Sequence, residues 1–176
     1  MGRAMTGIVG IVIEDARWET FGLLSLAERA CAAALQTLGL SADGFSIVVM
    51  GCDDARIAAL NADFRGKPKP TNVLSWPSEE RAAEEPGGEP DWPEAGDLDD
   101  PCELGDIAIA WETCAREAED QGKPMTDHVT HLIVHGLLHC LGYDHVDEAD
   151  ATVMERHEVE ILATLGLSDP YSDGPA

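Results

Sequence analysis

Five of the six histidines fall between positions 128 and 145, and their spacing is that of a metal site. His135 and His139 are four residues apart, so on a helix they stand one above the other on one face and can chelate one ion. Gly142 follows, and glycine takes the left-handed conformation that ends helices. The chain can then turn back and bring His145 to the same ion. Three imidazoles leave the fourth tetrahedral position open, as in a catalytic zinc site rather than a closed structural one. His131 continues the stripe one turn earlier. It lies roughly 12 Å along the axis from His139, too far to share one ion with both other helical ligands. His131 and His128 therefore read as groups behind the ligands or facing substrate. Asp144 reads either as a carboxylate that orients a ligand imidazole or as a cap on the turn. The competing interpretation is a helix that merely carries satisfied histidines; four of them on one stripe and another past the glycine tell against it.

What stands beside the ion limits its chemistry. The pattern His-x-x-x-His-x-x-Gly-x-x-His is also metzincin spacing, but those proteases carry a Glu general base directly after the first His. Here that residue is Gly136, so a zinc metallopeptidase is the weaker alternative. Phosphodiester cleavage asks less of the helix, because an ion and a cationic side chain can share the charge of the transition state. Three bases with no acid among them sit together in Arg65-Gly-Lys67-Pro-Lys69-Pro. An arginine on such a turn can grip a phosphate through two parallel bonds, or it can pair with a carboxylate of the same chain; the residues alone leave both open.

The elements that must hold these groups alternate in period. Ile8–Ile13, Phe45–Met50, Thr71–Trp76 and Leu104–Trp111 read as strands. Apolar spacing marks helices over about 21–38, 53–63, 112–121, 124–141 and 147–165, the fourth of them carrying the histidines. Four strands and about five helices over 176 residues predict one α+β domain, a mixed sheet with helices against it and the metal site on a central buried helix. The expected domain spans 1–176.

Charge is uneven. Eleven bases against 34 acids give a net charge of −23, which by itself argues against non-specific nucleic-acid binding and gives no reason to expect DNA as a partner. Residues 78–101 hold ten of those acids and one base, with Pro and Gly among them, and read as a solvated, flexible acidic insertion. The five cysteines have no paired spacing and no signal peptide precedes them, so reduced thiols in the cytoplasm are expected. Cys140 points about 100° away from His139 on the helix and reads as core. No apolar run is long enough to span a membrane.

The motifs resemble the bacterial YbeY family of metal-dependent endoribonucleases. The resemblance rests on Asn61–Pro77, on Glu103-Leu-Gly-Asp106-Ile-Ala-Ile109, on His131-Leu-Ile-Val-His135-Gly-Leu-Leu-His139-Cys-Leu-Gly-Tyr-Asp-His145, and on a tail with Met154-Glu155, Leu165-Gly166 and Asp169-Pro170-Tyr171. It implies one zinc-like ion held by His135, His139 and His145, with Arg65 as the cation across the cleft. It implies cleavage of single-stranded RNA, maturation of the 3′ end of 16S rRNA, ribosome quality control, and the small ribosomal subunit or its assembly factors as partners. Asn72 stands where the family usually has Asp, Trp76 where it has Phe, and Cys140 where it has an aliphatic residue. The acidic insertion is longer than the family's. A rival from another class is a non-catalytic ribosome-assembly factor whose metal only holds the fold.

Overall fold

The computed structural model describes residues 4–5, 8–40, 42–79, 87–88, 90, 92–97, 99–144 and 147–171. His145 and part of the acidic segment (80–86, 89, 91 and 98) lie outside the described residues. The strands are β1 (Ala4–Met5), β2 (Val9–Ile13), β3 (Phe45–Cys52), β4 (Val73–Pro77) and β5 (Cys102–Ala110). They form one sheet in the order β1-β2-β3-β5-β4. The central strands β2, β3 and β5 are parallel, and β1 and β4 close the two edges antiparallel. The helices are α1 (Ala16–Phe21), α2 (Leu23–Thr37), α3 (Asp54–Arg65), α4 (Trp111–Gln121), α5 (Met125–Cys140) and α6 (Glu148–Thr164).

The two faces of the sheet are covered unequally. Val9, Ile11, Phe45, Ile47, Val49, Leu104, Ile107 and Ile109 point to one side, where α2, α5 and α6 complete the main core. Cys52, Leu74, Ala108 and Ala110 point to the other, over a small cluster closed by Ile57 of α3. Small residues on that side of β5 let a single short helix lie on it.

Strand β5 keeps its apolar face only through a bulge. Ser46 pairs with Glu103 but Val48 with Asp106, so Leu104 and Gly105 oppose Ile47 alone. The extra residue puts Leu104 and Ile107, three apart, on the same face. Gly105 sits there at φ 150°, and a Cβ on it would lie 2.2 Å from the Trp76 carbonyl oxygen and 2.9 Å from Cys140 Sγ. The end of the histidine helix and strand β4 therefore meet across a glycine. Gly136 makes the equivalent approach inside α5: a Cβ would stand 2.9 Å from Ile107 Cδ1, so the helix lies close on the sheet.

The expected strands and helices are all present, with three differences. A two-residue strand, β1, is too short to leave a pattern in the sequence. The helix expected over 21–38 is α2, and an unexpected short helix, α1, precedes it, ended by Gly22 at a left-handed φ of 88° before α2 begins. Trp18 of α1 is fully buried, and its Nε1 donates to the Cys52 carbonyl at 2.8 Å. The described residues of the acidic segment are also tied to the body. Gly87 N donates to Asp150 at 2.7 Å, Gly96 N to the Gly44 carbonyl at 2.9 Å, and Trp92 Nε1 to the Tyr143 hydroxyl at 3.3 Å. The five cysteines are free thiols, four of them buried, and burial pushes Cys52 up to about 12.

Gly105→Ala should lower the free energy of unfolding by about 2–4 kcal/mol, because the methyl group meets backbone on one side and helix α5 on the other. Denaturant midpoints of the two proteins measure it; an unchanged midpoint would mean that β4 and α5 can separate at no cost.

Candidate metal centre

Helix α5 must be core and site together. Val129, Ile133, Val134, Leu137, Leu138 and Cys140 are fully buried, whereas His131, His135 and His139 are only partly so. Its end is set by Gly142, at φ 111°, with Gly142 N donating to the His139 carbonyl and Tyr143 N to the Leu138 carbonyl. That turn aims the Tyr143 carbonyl back along the helix, where it accepts from His139 Nδ1 at 3.0 Å. Tyr143 itself is buried.

The Nδ1 atom of His135 is held differently. It donates at 2.5 Å to Glu158 Oε1, a carboxylate of α6 with no exposed surface. Burial pushes the Glu158 carboxyl up, but the His131 and His135 imidazoles and the Tyr171 hydroxyl outweigh it and hold the group down at about 2. The carboxylate is thus charged, and only acceptors face the two histidine Nδ1 atoms. Both rings must carry their proton on Nδ1, which leaves the lone pair on Nε2. The two Nε2 atoms face each other 3.1 Å apart. Two ligands of a tetrahedral ion with bonds of about 2 Å stand roughly 3.3 Å apart, so the pair fits a zinc-sized cation without rearrangement. Two imidazole lone pairs at this distance also call for a positive charge between them, a proton or a metal.

His131 joins the same carboxylate. Its Nε2 lies 3.7 Å from Glu158 Oε2 and 3.3 Å from the Tyr171 hydroxyl, which itself donates to Glu158. Burial and the neighbouring carboxylate push the Tyr171 phenol well above its ordinary range. His131 therefore stands behind His135, through Glu158, rather than at the facing Nε2 pair. Glu158 and Tyr171 were not among the expected site residues. The signal was present in the sequence: Glu158 sits four residues after Met154 and three before Ile161, on the buried stripe of α6, where an unpaired acid is costly.

His128 is corrected. It is buried and faces α4, with its Nε2 donating to Glu117 at 2.9 Å, so it neither backs a ligand nor faces substrate. Asn72 Nδ2 donates to the same Glu117 oxygen at 3.0 Å, and Asn72 Oδ1 accepts from Val73 N at 2.7 Å. An amide at 72 supplies the donor that an Asp could not. Cys140 is core, with Sγ against Gly105. Asp144 lines a small cleft with Gly88, Gly142 and Asp150. Arg65 is the last residue of α3, exposed, and capped by Gly66 at φ 67°. Among the described residues no carboxylate pairs with it.

Known proteins resemble the chain over most of its length. The family model described as Endoribonuclease YbeY matches residues 12–166. Proteins named Endoribonuclease YbeY are similar along nearly the whole chain. That of Cereibacter sphaeroides is 65% identical over 95% of this chain and 100% of its own. That of Paracoccus denitrificans is 61% identical over 93% of this chain and 89% of its own. The solution structure of TM1509 from Thermotoga maritima shares the fold, with a TM-score of 0.53 at 18% identity, covering 96% of this chain and 100% of that one.

Two outcomes follow from the hydrogen bonds. A carboxylate held at about 2 contributes stability that is complete above the ordinary Glu range near 4.5 and is lost as pH falls through 2. In metal-free protein, Glu158→Gln should remove that part of the acid dependence, read from denaturant midpoints across the acid range. Asn72→Asp should place a second carboxylate on Glu117 and cost about 1–3 kcal/mol at neutral pH, with the loss easing as pH drops toward the carboxylate range. Thermal melts of both proteins at neutral and acid pH check it.

Proposed function

Because the chain belongs to the Endoribonuclease YbeY family, we propose that it is a metal-dependent endoribonuclease that cuts single-stranded RNA. Its role is processing of ribosomal RNA in the cytoplasm, at the 3′ end of 16S rRNA, with ribosome quality control and contacts to the small subunit or its assembly factors. The observation that carries this reading is the pair of Nε2 lone pairs 3.1 Å apart, each fixed by an acceptor behind its ring.

His135 and His139 are the ligands from α5, and His145 is the third. The ion is zinc, and when bound it supplies a Lewis acid for a phosphate oxygen. Glu158 and the Tyr143 carbonyl hold the two helical imidazoles in the tautomer that presents Nε2, and His131 and Tyr171 hold Glu158 in turn. Arg65, exposed at the end of α3, neutralises charge that builds on the phosphate. Asp144, next to His145 in sequence, would orient a ligand imidazole. Among the described residues no helix is long and apolar enough to cross a membrane.

Gly136 speaks against a metallopeptidase. The position after the first histidine is a buried glycine turned to Ile107 of the sheet, so the residue that would be the general base of that chemistry is missing. The core position of Cys140 keeps it from being the fourth ligand of a purely structural zinc, which leaves Asp144 as the other candidate for that place.

His139→Ala should stay folded, lose its zinc by elemental analysis, and lose cleavage of single-stranded RNA by about 100-fold or more. Arg65→Ala should keep the zinc and lose about 100-fold in rate. If His139→Ala unfolds instead, the metal is structural and the assembly-factor reading takes over.

A further inference from the structure

The segment that delivers Arg65 carries a second feature that the cleavage chemistry does not use. Phe64, one residue earlier, is 63% exposed. Its ring stands edge-to-face on Trp76 of β4, with centroids 5.2 Å apart and the planes at 62°. Among the described residues the other two large exposed apolar side chains, Trp92 and Tyr171, each spend a polar atom on a partner. Phe64 has no polar atom, and most of its ring lies in water.

The surroundings are as unusual as the ring. Arg65, Lys67 and Lys69 are exposed within five positions of a chain that has 11 bases in all. Among the described residues none of the three pairs with a carboxylate. The turn between them is stiff. Gly66 caps α3, Asn61 Nδ2 holds the Lys69 carbonyl at 3.0 Å, and Pro68 and Pro70 fix their own φ. Acids are close as well, Asp106 opposite Trp76 in the register and exposed Asp63 directly before Phe64, so charge alone does not explain the site. The Trp76 ring packs beside Leu74 on the α3 face of the sheet, and its backbone carbonyl flanks Gly105, which Cys140 Sγ at the end of the histidine helix also meets.

We propose that Phe64 and Trp76 form a stacking platform for a base of single-stranded RNA, with Lys67 and Lys69 taking the flanking phosphates. This rests on the endoribonuclease reading and adds how the strand is held. A ring face accepts any base, and lysines on a stiff turn follow the backbone, so the platform grips single strands without reading sequence. A duplex hides its base faces and is excluded. The surface also answers how a chain of charge −23 holds RNA: the strand meets the one turn where bases gather, and stacking supplies what the net charge withholds.

The test uses the whole zinc-loaded protein and a short fluorescein-labelled 2′-O-methyl oligouridylate, with binding followed by anisotropy. Phe64→Ala should weaken binding about tenfold, Phe64→Leu should weaken it equally, and Phe64→Tyr should bind within about twofold of wild type. Joint Lys67→Ala and Lys69→Ala should reduce the slope of log affinity against log salt by about 1.4. Circular dichroism and thermal melts confirm that each variant folds. Wild-type binding by Phe64→Ala, rescue by Phe64→Leu, or no strand binding by the wild type would each overturn the platform. A protein that binds through Phe64 but never cuts RNA would sink the endoribonuclease reading alone, and one that cuts RNA with Phe64 irrelevant would sink the platform alone.

Discussion

A charged carboxylate with no exposed surface is expensive to bury, and Glu158 is such a group. It persists because α5 and the tail surround it with His135, His131 and Tyr171. The debt runs both ways. Without Glu158 the His135 ring could turn or exchange its tautomer, and the lone pair that faces His139 would be lost. With it, two helices that meet through an apolar seam are also locked in rotation, since a slip of α6 by one residue would swing the carboxylate away by about 100°.

The close approach of α5 to the sheet is the second constraint, and three residues without bulk allow it. Gly136 lets the helix rest on Ile107, Gly105 lets β4 and the helix end meet, and the thiol of Cys140 fits between them. The face of α5 that carries His135 and His139 is turned from the sheet toward α6 as a result. The bulge at Gly105 matters to this arrangement because it restores the alternation that puts Ile107 under Gly136.

Charge follows a similar division. Acids dominate the chain, while Arg65, Lys67 and Lys69 cluster on one turn between α3 and β4. The acidic segment, where it is described, is anchored on Gly44, Tyr143 and Asp150, on the flank of α6 and the turn after α5. The bases and the acids therefore occupy different strand connections: the first enters β4 beside Glu117 and His128 near the start of α5, and the second is held by Tyr143 past its end.

The histidine spacing, the Gly142 turn and the absence of a carboxylate at 136 were legible from the chain alone, because a helix converts sequence separation into direction. The strands and most helix limits were legible for the same reason, through their apolar period. Which face His128 would take was not, since a histidine on a helix is satisfied by whatever element packs there, and that element is Glu117 of α4. Glu158 was hidden for a related reason: an acid on an apolar stripe announces a partner but not its identity. The pairing of Phe64 with Trp76, twelve residues apart, depends on how far the turn between them folds back. Local periodicity determined what each element could offer to the site. Only the packing of α6 and β4 against α5 decided which of those offers meet, because contacts between distant segments are set by the whole core and leave no period in the sequence.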